Sequence, residues 1–210
     1  IDGIMARRAG SEAVDIFVFK YLLVKLMDEK MEAGMHHLLT WYLPDCSDES
    51  PLPDNTRTMI KALQNCEPGK AIPDLQMPGP DGANISLSSV YTKNKMTLLF
   101  FWRTNCSHCK EFKPVLTDIY ERYHAQGLEV LAFSLDKTDS GWLETLRQEP
   151  TKWVNVYVPN DRRLELNQQF PIPSTPTLIS IDDKGRVLSR LILRDQLESY
   201  LKENMPKLGN

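Results

Sequence analysis

The 210-residue sequence predicts an α/β fold, a mixed central sheet flanked by helices and preceded by a small all-α segment. Three observations carry that expectation. Apolar residues recur at helical spacing through the first third of the chain. A cluster of glycine and proline between residues 69 and 82 then breaks the pattern. Beyond it, short β-favouring runs alternate with helical ones and finish in a hairpin.

Taken in order, residues 11–43 place Ile16, Phe19, Leu22, Leu23, Leu26 and Met27 at three- and four-residue steps, the signature of a helix with one buried stripe. Met27, Met31 and Met35 recur every four residues and read as ordinary core. Residues 45–54 are rich in Ser, Pro, Asp and Glu and read as a loop, after which Asn55 or Thr56 caps a short helix through Cys66. These elements define a helical N-terminal module over residues 1–68 and a second domain over 69–210. In the second domain, residues 96–102 and 128–135 are apolar strands joined by a helix over about 107–126, a βαβ unit. Residues 153–158 read as a strand, 162–170 as a helix, and 177–181 with 187–193 as a hairpin across Asp182, Asp183, Lys184 and Gly185. A helix over 195–203 closes the chain.

Composition narrows the function classes. With 41% hydrophobic and 25% charged residues the chain is an ordinary globular protein. A net charge of −3 supplies no clustered basic excess, so nucleic acid is not an expected partner. The apolar runs fall far short of the ~20 residues a membrane-spanning helix needs. The chain opens on Ile1 without a charged segment followed by an apolar one, and the expectation is that a targeting segment has been removed.

The chemistry is concentrated in Cys106-Ser107-His108-Cys109, directly after a buried strand and at the first turn of a helix. Unpaired N–H groups and a partial positive charge at a helix N-terminus stabilise a thiolate. Cys106 is thus the expected nucleophile. Cys109, one turn further in, is placed to resolve a mixed disulfide. The competing reading of C-x-x-C is half a zinc site, which Cys46 and Cys66 would have to complete without a second C-x-x-C. Disulfide chemistry is expected instead, with no metal and no cofactor. Ser107 and His108 lie between the two thiols; an imidazole dipole or charge near Cys106 would favour the thiolate and make the disulfide more oxidising. His36, His37 and His124 fall in helical patterns remote from the motif.

Together with its surroundings, this motif resembles the thioredoxin superfamily, and within it the TlpA/ResA-like extracytoplasmic thiol-disulfide oxidoreductases. Residues 98–102, ending in Trp102, followed by Cys106 to Lys110 and Pro114, are similar to that family's strand, tryptophan and kinked redox helix. Residues 71–74, 81–82 and 85–87 are similar to its N-terminal hairpin, Thr175-Pro176-Thr177 to its cis-proline loop, and residues 181–187 to its closing hairpin. The resemblance covers about residues 69–203 and implies a thioredoxin fold. It further implies a cis Thr175–Pro176 bond whose backbone pairs with substrate, Trp102 as an active-site wall, and protein thiols or disulfides together with a redox partner as the interacting molecules. The helical segment resembles the module found before such domains in Bacteroidetes-type thiol:disulfide interchange proteins.

Two positions depart from the family pattern. Apolar Phe100 stands where many thioredoxins bury an acid, and Glu111 falls one position before the glutamate of related proteins, where it reads as a surface charge paired with nearby lysines. The proton-relay carboxylate is therefore unassigned. Cys46 and Cys66 form a second, spaced pair: one of the three pairings four cysteines allow joins them, which would suit an oxidising compartment and stabilise by about 3 kcal/mol. Two further functions compete with disulfide exchange. In a carrier module on the same scaffold both motif cysteines would be dispensable. A thiol peroxidase is disfavoured because the stretch before Cys106 lacks the Pro and Thr spacing that cradles peroxide.

Overall fold

The computed structural model describes residues 1–6, 11–29, 31–43, 52–190, 192 and 194–208. The chain divides into two compact units, 1–61 and 62–210. The first contains α1 (Asp2–Met5), α2 (Glu12–Asp28), α3 (Glu32–Trp41) and the start of α4 (Asp54–Asn65). The single periodic run expected over 11–43 is two helices, because the chain leaves α2 at Glu29 and re-enters a helix at Glu32, where the apolar stripe also changes phase. Phe19, Leu22, Leu23, Leu26 and Met27 of α2 and Met35 and Leu38 of α3 are buried. Gly34 allows the approach of the two helices: a Cβ there would lie 2.7 Å from Leu26 Cδ2. Of the three methionines read as core, Met27 and Met35 are buried and Met31 is exposed.

The second unit is a mixed five-stranded sheet between two layers of helices, a thioredoxin fold. Its elements follow α4 as β1 (Gln76–Pro78), β2 (Asn84–Ser86), α5 (Leu87–Tyr91), β3 (Met96–Trp102), α6 (Ser107–Tyr123), β4 (Leu128–Ser134), α7 (Asp139–Gln148), β5 (Val154–Tyr157), α8 (Arg163–Gln169), β6 (Thr177–Asp182), β7 (Val187–Arg190) and α9 (Leu197–Asn204). The strand order is β5-β4-β3-β6-β7, with β3, β4 and β5 parallel and β6 and β7 antiparallel to their neighbours. The small pair β1 and β2 is antiparallel.

Because side chains alternate along a strand, β3 feeds two cores. Met96, Leu98, Phe100 and Trp102 pack with Phe112, Leu116 and Ile119 of α6 and Leu197 and Leu201 of α9. Leu99 and Phe101 point the other way, into a cluster with Phe133, Leu166 and Phe170. Such doubly buried strands read as near-continuous apolar runs, which is why β3 and β4 were recognisable. Helices α5 and α7 escaped sequence reading. The first is only five residues long, and the second buries Trp142 alone, so neither carries a full apolar stripe.

Two of the glycines with positive φ place turns beside the central sheet. Gly127, at φ 102°, turns the chain from the 3-10 segment after α6 into β4. Gly185, at φ 71°, closes the β6–β7 hairpin, where the buried Asp182 carboxylate accepts from Lys184 N (2.9 Å), Arg186 N (2.8 Å) and Arg186 Nε (2.7 Å).

Candidate active site

The site is built where β3 ends. A three-residue loop, 103–105, separates Trp102 from Cys106, which is the N-cap of α6 with extended backbone (φ −94°, ψ 114°). In that position its sulfur replaces the oxygen of an ordinary cap and accepts the Cys109 N–H at 3.2 Å. The Thr175–Pro176 peptide is cis. It leads into β6, the antiparallel neighbour of β3, so the loop faces the redox helix and Thr175 O accepts the Cys106 thiol at 3.3 Å.

The two thiols differ in environment. Cys106 is partly exposed, whereas Cys109 is fully buried in the core beneath it. Burial pulls the Cys106 thiol up, but hydrogen bonding with the Cys109 and Thr175 side chains and the backbone N–H groups of Cys109 and His108 outweigh it, leaving the group below its ordinary value. Cys109 goes the other way: burial first, then its hydrogen bond to Cys106, push it up to about 12. The cap position thus favours the ionised form of Cys106, and burial favours the neutral form of Cys109.

The remaining residues singled out from sequence sort by placement. Ser107 and His108 are exposed on the first turn of α6. Trp102 is 3% exposed; it lies parallel to Phe100 at 6.2 Å, and Lys113 Nζ stands 5.4 Å from its ring centroid while also holding Glu149 Oε2 at 2.8 Å. Phe100 is buried, so no acid enters the core at that position. Glu111 is exposed and, among the described residues, its ion pair is with Arg194, at 3.8 Å, in place of the expected lysines. His124 stacks on Tyr120 with centroids 4.6 Å apart, and His37 meets Asp2 at 2.6 Å. Cys46 lies outside the described residues, and Cys66 is buried.

Sequence reading overlooked Asp136. Its carboxylate accepts from Thr104 N (3.0 Å), Thr104 Oγ1 (2.8 Å) and Ser134 Oγ (2.8 Å), tying the loop before Cys106 to the end of β4. The signal was an acid directly after an apolar strand, which is indistinguishable from an ordinary strand-ending loop residue without the pairing of β3 with β4.

The fold and the paired cysteines define a thioredoxin-like protein, and the thioredoxin-like family model matches residues 94–187. Comparison with known proteins narrows this. The chain is 29% identical over 141 residues to the thiol-disulfide oxidoreductase ResA of Bacillus thuringiensis (strain Al Hakam), covering 66% of this chain and 79% of that protein. It is similar in structure to a domain of a "possible thiol-disulfide isomerase" from Cytophaga hutchinsonii, at TM-score 0.59 and 28% identity, covering 67% of this chain and 95% of the other. A thiol:disulfide interchange protein from a Bacteroides species matches at TM-score 0.60 and 21% identity over 68% of this chain and 92% of that one, a likeness of fold. The redox domain thus resembles the TlpA/ResA-like group of thioredoxin-fold proteins, and the protein is a thiol-disulfide oxidoreductase.

Proposed function

We propose that the protein exchanges disulfides with protein substrates through Cys106 as nucleophile and Cys109 as resolving thiol. The observation that carries this reading is the contrast in placement of the two thiols: Cys106 is partly exposed at the cap of α6 with its sulfur 3.2 Å from Cys109 N, and Cys109 is buried in the core. In the reducing direction the Cys106 thiolate attacks one sulfur of a substrate disulfide, forming a mixed disulfide and releasing the other substrate sulfur as a thiolate. Cys109 then attacks Cys106 Sγ; its proton goes to a released substrate thiolate, the second substrate sulfur leaves, and the Cys106–Cys109 disulfide remains. Two electrons and one proton have passed from the protein to the substrate, and the second substrate thiolate takes its proton from solvent. Oxidation of substrate dithiols is the reverse sequence, and the redox partner sets the direction.

Around that step the Thr175 backbone, presented by the cis-proline loop, pairs with an extended substrate segment, and Trp102 backs the site. Ser107 and His108 tune the potential, the latter through its imidazole as well as its N–H. Cys46 and Cys66 form a structural disulfide, which fits work in an extracytoplasmic compartment.

Insulin reduction tests the assignment. Cys106→Ser abolishes turnover, and Cys109→Ser accumulates a mixed disulfide at Cys106 that mass spectrometry detects. Turnover that survives Cys106→Ser would sink the reading.

A further inference from the structure

Resting on that reading, we infer that Asp136 and Thr104 form a positioning clamp that holds the Cys106 sulfur at the cap of α6. The loop between β3 and Cys106 has three residues, and its middle one is gripped at two points by one carboxylate. Thr104 donates its backbone N–H at 3.0 Å and its hydroxyl at 2.8 Å to Asp136 Oδ1. Two donors from one residue to one acceptor fix orientation as well as position. Asp136 is itself only 8% exposed, and its other oxygen accepts from Ser134 Oγ at 2.8 Å. The end of β4 is anchored in turn: Leu135 N donates to Trp102 O at 2.9 Å, and Arg163 of α8 donates to the carbonyls of Leu135 (3.0 Å) and Asp136. The charged group facing this corner from α8 is Arg163, with Tyr157 of β5 and Asp139 of α7 near it.

The clamp bears on chemistry through geometry. The thiolate is favoured only while Cys106 keeps its extended backbone and its sulfur stays 3.2 Å from Cys109 N. The turn that would otherwise hold the loop, Cys106 N to Arg103 O, is long at 3.4 Å. Without the grip on Thr104 the loop swings, and the cap hydrogen bond is made for only part of the time.

A buried carboxylate near the site acts oppositely if it works by charge. Removing a negative charge lowers the titration of a nearby thiol, whereas releasing the clamp raises it. The pH dependence of Cys106 alkylation and the equilibrium with glutathione therefore distinguish the two in the full chain. Asp136→Ala raises the midpoint of alkylation and slows it about threefold or more at neutral pH, and the disulfide becomes more reducing. Thr104→Val, which changes no charge and keeps the N–H, shifts both in the same direction by less, and Thr104→Ser restores the wild-type midpoint. An unchanged or lowered midpoint in Asp136→Ala, or in Thr104→Val should the first variant fail to fold, overturns the clamp, as does a loss of thermal stability with unaltered midpoint and potential. A wild-type chain without any exchange activity overturns the catalytic reading itself and this one with it.

Discussion

Cys106 and Cys109 are the same side chain three residues apart, and their difference comes from what each atom touches. The first is a cap, facing N–H groups, and the second is a core residue closed to bulk solvent. The pH profile of alkylation in the reduced protein follows from this. Cys106 reacts with a midpoint below the ~8.5 of an ordinary thiol, while Cys109 stays unmodified until the chain unfolds. Site-resolved mass spectrometry checks the order of labelling, and modification of Cys109 first would contradict the assignment. His108 belongs at this scale too. Its side chain is exposed on the first turn of α6, and under the proposed tuning role His108→Ala shifts the glutathione equilibrium toward the disulfide by about two- to fivefold.

At the scale of elements, the β6–β7 hairpin depends on one buried acid. The Asp182 carboxylate is desolvated, which alone would raise its pKa, but the backbone and side chain of Arg186 and the Lys184 N–H hold it below its usual value. Its contribution to stability is therefore present above the unfolded carboxylate's ~3.9 and is lost as the pH falls through the lower folded value. Asp182→Ala costs about 1–3 kcal/mol at neutral pH. Urea unfolding at pH 7 and at acid pH measures it; a loss equal at both would refute the account. In the same turn, Gly185→Ala costs ~1 kcal/mol or more, since φ is 71° and a Cβ would come within 2.9 Å of the Tyr91 ring. The sequence already marked this hairpin, because an Asp-Lys-Gly turn between two β-favouring runs is a local signal.

For the molecule as a whole, residues 62–210 carry two apolar clusters, one on each face of the sheet. A chain beginning at Pro53, which keeps α4 intact, accordingly folds cooperatively and retains the depressed Cys106 titration. Thermal unfolding and alkylation test this, and loss of either shows that the helical module is required. Within that unit Phe101 meets both Phe133 (centroids 4.8 Å) and Phe170 (5.4 Å), so Phe101→Ala lowers stability by about 3–5 kcal/mol.

The sequence by itself determined the α/β class, the strands β3 and β4, the redox helix and its two cysteines. Those features are local: strand periodicity, a C-x-x-C pair at a helix start and a Thr-Pro step can each be read from neighbouring residues. Tertiary structure decided what depends on residues distant in the chain. It brought Thr175 O to Cys106 across 69 positions and the Asp136 carboxylate to Thr104 across 32, and it buried one thiol while leaving its neighbour open. Short-range pattern cannot encode such contacts, because their partners are chosen by strand order and register, and those are settled only when the whole sheet assembles.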